Sequence, residues 1–210
     1  FGTIRSLDLA TGQLSPVTTI DFNFDFAFDV VPGLAYVTAS PNGFGATEVY
    51  RIDLLSGQTT LVADIGGFSG PIEVDELGNV FVGVLPGTFP IPPGSVDIVT
   101  FDASDVNSGV VLTLSDATVY SSGFNGLSST AYDKANGGLV AIETNAGAGG
   151  MESIAWRLDS TGARAENVAT APGFAGAAQL VDPEGGTVFA GCQPPAASFH
   201  TVCVLRIASS

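Results

Sequence analysis

VYRIDLLSGQ, at residues 49–58, decides the fold of this chain, because variants of it recur along the sequence. The pattern is typical of a β-strand that ends in Asp and is followed by a tight turn closed by Gly. The variants are SLDLATGQ at 6–13, VTFDASDVNSG at 99–109, AWRLDSTGA at 155–163 and the shorter VLRIASS at 204–210. Five copies at intervals of roughly 45 to 55 residues indicate a repeat architecture.

A second pattern interlocks with the first. A Phe-led segment precedes an Asp by seven to nine residues, and a Gly-containing turn and a strongly apolar strand follow that Asp. The four Asp residues are Asp29, Asp75, Asp133 and Asp182. Together the two patterns predict an antiparallel meander of four strands, here named A to D, with C carrying the VYRIDL-type pattern. Such a meander repeated at this interval predicts an all-β fold, a β-propeller built of four-stranded antiparallel blades.

The order of the strands sets the predicted blades. Residues 1–21 supply a C and a D strand, residues 22–66, 68–121 and 124–171 supply complete blades, and residues 174–210 supply A, B and C. These are about five blade units, two of them incomplete. The chain is either a five-bladed ring with two partial blades or part of a larger propeller, which we favour because an isolated arc exposes the faces of its end blades. The predicted core residues on the inner strands are Ala27, Ile72, Val74, Thr130, Ala131 and Leu180.

Composition excludes several classes of partner. The formal net charge is −15, and Lys and Arg together number only 6, so no basic surface is available to hold a nucleic acid. No apolar run approaches the roughly 18 residues needed to cross a bilayer. The sequence therefore predicts no nucleic-acid partner and no membrane span.

Two cysteines bear on the cellular compartment. Cys192 ends one predicted strand and Cys203 lies in the next, so a disulfide between them would close that hairpin across its Pro-rich loop. Such a bridge predicts an oxidising, secreted or extracellular setting. The alternative is a pair of buried free thiols.

The second and third blades resemble a known family. Residues 68–83, FSGPIEVDELGNVFVG, and 124–127, FNGL, are similar to blade segments of six-bladed propellers of the gluconolactonase, senescence-marker and NHL-repeat type. In the lactonases of that group, a divalent cation, usually calcium, lies in the central channel on carboxylate and Asn side chains. The resemblance implies Asn125 as one metal ligand, with Glu73 and Asp25 in corresponding blade positions. Ala175 departs from the pattern in the last unit.

The recurring Asp residues have a structural explanation. An Asp at the start of a turn accepts hydrogen bonds from backbone N–H groups one or two residues later and holds the hairpin closed. We therefore expect the Asp residues of the A–B and C–D turns to be structural rather than metal ligands. The same residues make that face of the propeller acidic. They are Asp8, Asp29, Asp53, Asp75, Asp102, Asp133, Asp159 and Asp182.

The opposite face carries the B–C loops and the D–A crossovers, and it is nearly uncharged. Function concentrates on loops that a rigid scaffold holds, so this loop face is a candidate surface for binding a protein, a carbohydrate or a small molecule. The candidate contact residues are Phe44, Phe89, Ile91, Met151 and Phe199. The alternative is that each apolar tip folds over its own blade.

Few residues suit catalysis. His200 is the only histidine, and no nucleophile elbow, zinc-protease motif or phosphate loop is present. Two functions remain, and whether the chain is an enzyme stays open. The first, favoured by the scarcity of catalytic groups, is a secreted non-catalytic propeller that binds a partner through its loop face. The second is a calcium-dependent hydrolase of lactonase type, with inward carboxylates from Asp25, Glu73 and Asp21 also fitting a glycosidase.

Overall fold

The computed structural model describes residues 2–43, 45–134, 136–147, 150–172, 179–181, 187–192 and 203–208. Their regular secondary structure is almost entirely β-strand, with one short α-helix and one 3₁₀ turn. Within them no helix is long and apolar enough to cross a membrane. His200, Phe44, Phe199 and Asp182 lie outside the described residues.

Five sheets follow one another along the chain. The first partial blade holds β1 (Thr3–Leu7) and β2 (Leu14–Thr19). Blade 1 holds β3 (Asn23–Phe28), β4 (Leu34–Ala39), β5 (Glu48–Asp53) and β6 (Thr59–Asp64). Blade 2 holds β7 (Phe68–Val74), β8 (Val80–Leu85) and β9 (Val96–Phe101), and its fourth strand is β11 (Thr118–Phe124), which follows a short β10 (Leu112–Thr113). Blade 3 holds β12 (Leu127–Asp133), β13 (Gly138–Gly147), β14 (Gly150–Leu158) and β15 (Arg164–Pro172). The last partial blade holds β16 (Gln179–Val181), β17 (Thr187–Cys192) and β18 (Cys203–Ala208).

Each complete blade is an antiparallel meander in chain order, with strands A to D running from one edge to the other. Neighbouring blades meet at their A strands, where the carboxylate of Asp25 in β3 accepts a 3.1 Å hydrogen bond from the N–H of Ile72 in β7. The predicted fold class, an all-β propeller of four-stranded blades, is confirmed.

The turns explain why Asp recurs. The carboxylate of Asp53 accepts 2.9 Å hydrogen bonds from the N–H groups of Leu55 and Ser56, and Gly57 follows with a φ of 73°. The hydrogen bonds from Ser56 and Leu55 hold the pKa of Asp53 below its usual value. The structural role is confirmed at Asp8, Asp29, Asp53, Asp75 and Asp159. Asp102 differs, because it precedes a helix and makes no side-chain cap, and Asp133 pairs with Arg157.

The core lies between the blades. In β8, Val80 and Val82 pack with blade 1 residues, whereas Phe81 belongs to the cluster shared with blade 3. Successive side chains of a strand point to opposite faces, so a blade between two others buries both faces and needs a continuous apolar strand. This is the physical reason for the strongly apolar B strands. Of the predicted core residues, those at 27, 72, 74, 130 and 131 are buried, and the side chain of Leu180 lies outside the described ones.

An insertion in blade 2 clamps it to blade 1. Between strands C and D the chain forms α1 (Ala103–Val106), β10 and a 3₁₀ turn (Leu114–Asp116). Val106 and Leu112 are buried in the cluster that blades 1 and 2 share. β10 pairs in parallel with β6, the outer strand of blade 1. The expectation of antiparallel neighbours throughout is therefore wrong at this strand, because the insertion returns along the outer edge instead of continuing the meander.

The strand register places the two cysteines opposite each other. In the antiparallel pair of β17 and β18, the Cα partner of Cys192 is Cys203. Directly opposed residues in such a pair have Cα atoms about 4.5 to 5.5 Å apart, within the range that a disulfide spans. The cysteine side chains lie outside those described, so the disulfide stays a prediction.

Candidate functional site

A groove of about 550 Å³ opens on the loop face between blades 2 and 3. We call it the blade 2–3 groove. One wall is the β8–β9 loop, the other is the β13–β14 hairpin, and the floor is the crossover into β12. Its lining residues are Phe89, Pro90, Ile91, Pro93, Asn125, Gly126, Thr144, Asn145, Ala146 and Met151.

Three residues predicted for the loop face come together here. Phe89, Ile91 and Met151 all line the groove. Phe89 is 88% exposed and Met151 is 40% exposed, so these apolar side chains are open to a ligand rather than folded over their own blades. At Phe89 and Met151 the structure therefore favours an exposed surface over loop tips that fold onto their own blades.

A buried carboxylate organises the floor of the groove. The side chain of Glu143 in β13 is only 3% exposed. Its Oε1 accepts hydrogen bonds from the backbone N–H and the Nδ2 of Asn125, at 2.9 and 3.0 Å, and its Oε2 accepts one of 2.7 Å from Trp156 Nε1. The guanidinium of Arg164 lies 3.8 Å from the same Oε2. A buried charge is costly unless it is paired and hydrogen-bonded, and this one is both.

The network fixes two amide side chains at the rim. Asn125 Oδ1 accepts a 3.0 Å hydrogen bond from the N–H of Gly94, and Asn125 Nδ2 donates to Asn145 Oδ1 at 2.6 Å. Within the described residues, the Nδ2 of Asn145 has no hydrogen-bond partner and is available to donate. The groove therefore presents oriented neutral amides beside apolar side chains.

The described lining of the groove is neutral, and Thr144 contributes a hydroxyl group to it. None of the described side chains that line it is charged or titratable. The charge of Glu143 lies beneath the floor and is compensated by Arg164, which also stacks 4.0 Å from the ring centre of Phe124. The groove is therefore a neutral surface above a compensated buried charge.

A second groove lies one blade away on the same face. It has a volume of about 310 Å³, and we call it the blade 1–2 groove. Phe22 and Phe24, which line it, are 59% and 51% exposed. Its other lining residues are Asn23, Ser40, Gly43, Phe68 and Ser69. Phe22 has a φ of 50°, an uncommon value for a residue with a side chain.

The inner strands carry two carboxylates that are partly buried. Asp25 Oδ1 accepts a hydrogen bond from the N–H of Phe26 and Oδ2 accepts the one from Ile72. Glu73 accepts hydrogen bonds from the N–H groups of Val74 and Tyr132, the second of which belongs to the A strand of the next blade. Each carboxylate thus ties its own A strand to the next one.

Burial raises the pKa of both carboxyl groups. The loss of solvent raises the pKa of Asp25 to about 6, although the N–H groups of Phe26 and Ile72 oppose the shift. The pKa of Glu73 is raised to about 7, chiefly by the same desolvation, and the charge of Asp25 adds to it. Carboxyl groups with a shifted pKa are frequent at active sites. A carboxylate that accepts hydrogen bonds from backbone N–H groups can also have a purely structural role.

The structure does not bring the three predicted metal ligands together. Glu73 contacts Tyr132, near the far end of β12, whereas Asn125 precedes the start of that strand at Leu127. Leu127 and Tyr132 are five residue steps apart along the strand, a distance of about 17 Å. Among the described residues, no three His, Cys, Asp or Glu side chains are grouped so that they could hold a metal ion. The calcium site with Asn125, Glu73 and Asp25 as ligands stays a prediction, and the described structure places Asn125 apart from Glu73.

The sequence reading missed Glu143, Asn145 and Arg164. The sequence does contain a feature that could have identified Glu143. It is the charged residue of an otherwise apolar run, LVAIE, in a strand that is buried on both faces. Trp156 packs between the blades and also donates a hydrogen bond to Glu143. Phe22 and Phe24 follow the alternation of FNFDFAF, which places more Phe rings on one face than the core accommodates.

The turn face carries a third depression with an acidic rim. A groove of about 510 Å³ between blades 2 and 3 is lined by Asp75, Glu76 and Asp102 together with Tyr120 and Tyr132. Asp75 is fully engaged in its own turn, where Asn79 Nδ2 donates to its Oδ2 at 2.8 Å. Lys134 pairs with Glu76 at 2.5 Å. These contacts account for the carboxylates of Asp75 and Glu76 without a ligand.

The fold resembles those of several solved propellers. A gluconolactonase from Xanthomonas campestris matches with a TM-score of 0.69 and 17% identity, over 99% of this chain and 65% of that one. A chain of a nidogen/laminin complex matches with a TM-score of 0.67 and 18% identity, over 97% of this chain and 74% of that one. TolB from Acinetobacter baumannii matches with a TM-score of 0.64 and 12% identity, over 99% of this chain and 49% of that one.

These likenesses establish the fold. The chain is a β-propeller that resembles gluconolactonase-type propellers, as its blade segments imply. It spans about half the length of TolB and about two thirds of the gluconolactonase. No family model and no curated protein matches the sequence.

Proposed function

We propose that this chain is a secreted, non-catalytic β-propeller that binds an uncharged partner through its loop face, with the blade 2–3 groove as the contact. The observation that carries the proposal is the composition of that groove. Exposed apolar side chains stand beside two oriented amides, and no charged side chain lines the groove. Binding sites of this kind are mostly apolar and use a few placed polar groups to fix the orientation of the ligand.

The blade architecture supports this assignment. The loops that form the groove are held by strands of blades 2 and 3, which share a buried cluster between them. A rigid scaffold with variable loops is the usual arrangement for recognition. The similar solved structures include a chain of a nidogen/laminin complex, so propellers of this shape occur in assemblies with other proteins.

The second candidate is a hydrolase that uses the inner carboxylates. The specific observation in its favour is the raised pKa of Asp25 and Glu73 in a chain whose fold resembles that of a gluconolactonase. The position of Asn125 on the loop side, away from Glu73, weighs against the calcium site that this candidate requires.

Loop-face and inner-strand variants separate the two candidates. The probes are a printed array of glycans and a phage-displayed library of uncharged peptides. We expect Phe89→Ala and Met151→Ala each to weaken binding of a recovered probe about tenfold, since truncating a central apolar contact typically costs that much or more. Asp25→Asn and Glu73→Gln should leave it unchanged, because both side chains contact the inner strands.

A hydrolysis assay with gluconolactone, with and without calcium, completes the test. Turnover that requires calcium and disappears in Glu73→Gln would replace the binding function with the hydrolase. Probe binding that survives Phe89→Ala and Met151→Ala would show that the groove is not the contact.

A further inference from the structure

We propose that the ligand of the loop face is a linear, uncharged oligosaccharide that lies across both the blade 2–3 groove and the blade 1–2 groove. This inference rests on the proposed function, and it adds the chemical class of the ligand and the second contact. It is carried by the chemistry of the two grooves and by the surface that joins them.

The first step is electrostatic. The chain has a net charge of −15, yet the described residues that line the two grooves include no acidic and no basic side chain. The one carboxylate close to the blade 2–3 groove is buried and paired with Arg164. A cationic ligand would find no partner charge here, and an anionic ligand would meet an acidic protein without compensation. The ligand is therefore neutral.

The second step is the alternation of rings and amides. Phe89 and Phe24 present exposed aromatic rings, one in each groove. The face of an aromatic ring carries negative charge and attracts the weakly acidic C–H groups of a sugar ring. Asn145 Nδ2 is available to donate, and Asn125 Oδ1 accepts only one hydrogen bond among the described residues. Hydroxyl groups around a sugar can both donate to and accept from such amides.

The third step concerns peptides, the main alternative. A peptide that adds to a sheet needs an open strand edge, and in the blade 2–3 groove the N–H of Thr144 is already bonded to the carbonyl of Gly126 at 3.0 Å. The two strands of the β13–β14 hairpin pair with each other along their length. The groove therefore recognises a ligand through side chains, which suits hydroxyl groups better than a peptide backbone.

The fourth step is the surface between the grooves. The B–C loop of blade 1, the crossover from β6 to β7 and the β8–β9 loop each contribute one glycine here. Gly45 bridges to Gly67, and a Cβ atom on Gly87 would lie 3.8 and 3.9 Å from the Cα atoms of Gly67 and Gly45. At Gly67, which has a φ of 71°, a Cβ atom would come within 2.2 Å of the carbonyl oxygen of Leu85. Among the described residues, these three positions carry no side chain that could separate the grooves. A chain of several sugar units can therefore continue from one groove to the other.

The experiment uses the full chain on an array of linear glycans, neutral and acidic, followed by calorimetry. The calorimetry compares the disaccharide, tetrasaccharide and hexasaccharide of the neutral glycan with the highest signal. We expect affinity to rise with length, because the second groove adds its contact at high effective concentration. Phe89→Ala and Phe24→Ala should each weaken hexasaccharide binding about tenfold. The control is Leu55→Ala, which removes a 96% exposed apolar side chain from the turn face and should change nothing.

The outcomes separate the inference from the function on which it rests. Binding of an uncharged peptide that is lost in Phe89→Ala, with no glycan bound, would overturn the saccharide while the proposed function stands. Equal binding of acidic glycans, affinity that does not depend on length, or full binding by Phe24→Ala would overturn the inference in the same way. Failure to bind either class of probe would overturn both.

Discussion

At the scale of single residues, the inner carboxylates show how one side chain can serve the fold and still resemble a catalytic group. Glu73 is half-buried, and its oxygens accept N–H groups from its own strand and from the next blade. Those hydrogen bonds favour the ionised form, but desolvation is the larger effect and the pKa rises to about 7. The folded protein therefore holds a proton on Glu73 at pH values where the unfolded chain has released it.

The proton that the folded protein holds on Glu73 determines how the free energy of unfolding changes with pH. Between pH 4.5, the usual pKa of a glutamate side chain, and about pH 7, the folded state binds more protons than the unfolded state, so the free energy of unfolding falls as the pH rises. In Glu73→Gln the side chain is neutral at every pH, so the decrease in the free energy of unfolding that Glu73 causes as the pH rises should disappear. We expect the variant to equal the wild type near pH 4 and to be more stable at pH 8 by about 2 kcal/mol. Urea unfolding at both pH values measures the difference.

The matched control is Glu152→Gln, which neutralises an exposed carboxylate on β14. Surface substitutions of this kind usually change stability by less than about 0.5 kcal/mol. A Glu73→Gln variant that is destabilised equally at pH 4 and pH 8 would contradict the argument, because it would mean that the amide disrupts the contact with Tyr132 irrespective of charge.

At the scale of elements, the insertion of blade 2 is the feature that ties two blades at their outer edge. Leu112 is 6% exposed and packs in the cluster that blades 1 and 2 share, next to its register partner Ala63 in β6. Arg51 Nη1 donates to Asn107 Oδ1 at 2.8 Å and adds a polar contact between the same two blades. The insertion also covers the edge of β6, which would otherwise expose unpaired backbone groups.

Truncation of Leu112, a buried side chain of the blade 2 insertion, should destabilise the fold. Leu112→Ala removes a buried side chain from between two sheets that cannot close the gap, so we expect a loss of about 2–4 kcal/mol in the free energy of unfolding. Val110→Ala is the control, because Val110 lies two residues away and is 65% exposed. Urea titration followed by tryptophan fluorescence reports on both variants. If Leu112→Ala and Val110→Ala both changed the free energy of unfolding by the same small amount, the insertion would not contribute to the packing of blades 1 and 2.

The elements also show what the sequence could and could not predict. The A to D strands of each blade follow from alternation and from the Asp–Gly turns, which are local signals. The insertion of blade 2 was not predicted, because LTLSD at residues 112–116 has no clear alternation of apolar and polar residues. Its pairing with β6 depends on a partner about 50 residues earlier. Phe89, Ile91 and Met151 were predicted from loop composition. Glu143 and Asn145 were not, since their role depends on contacts across blades that no local pattern encodes.

At the scale of the whole molecule, the repeat divides the surface into two faces of opposite character. The same Asp residues that close the A–B and C–D turns make one face acidic, and the loops of the other face are free to vary because no turn requires a charge there. The placement of an uncharged groove on an acidic protein is thus a consequence of the blade pattern. The secreted setting that we propose depends instead on the two cysteines of the last partial blade.

The register of β17 and β18 makes the cysteine prediction specific. Because Cys192 and Cys203 are Cα partners, a disulfide between them needs no shift of the strands. Closing a loop of this length should stabilise the fold by roughly 2–3 kcal/mol through restriction of the unfolded chain. We expect thiol titration of the denatured, unreduced protein to find no free thiol, and the variant in which both cysteines are Ser to unfold at lower urea. Two titratable thiols in protein purified without reductant would refute the bridge and, with it, the argument for an extracellular setting.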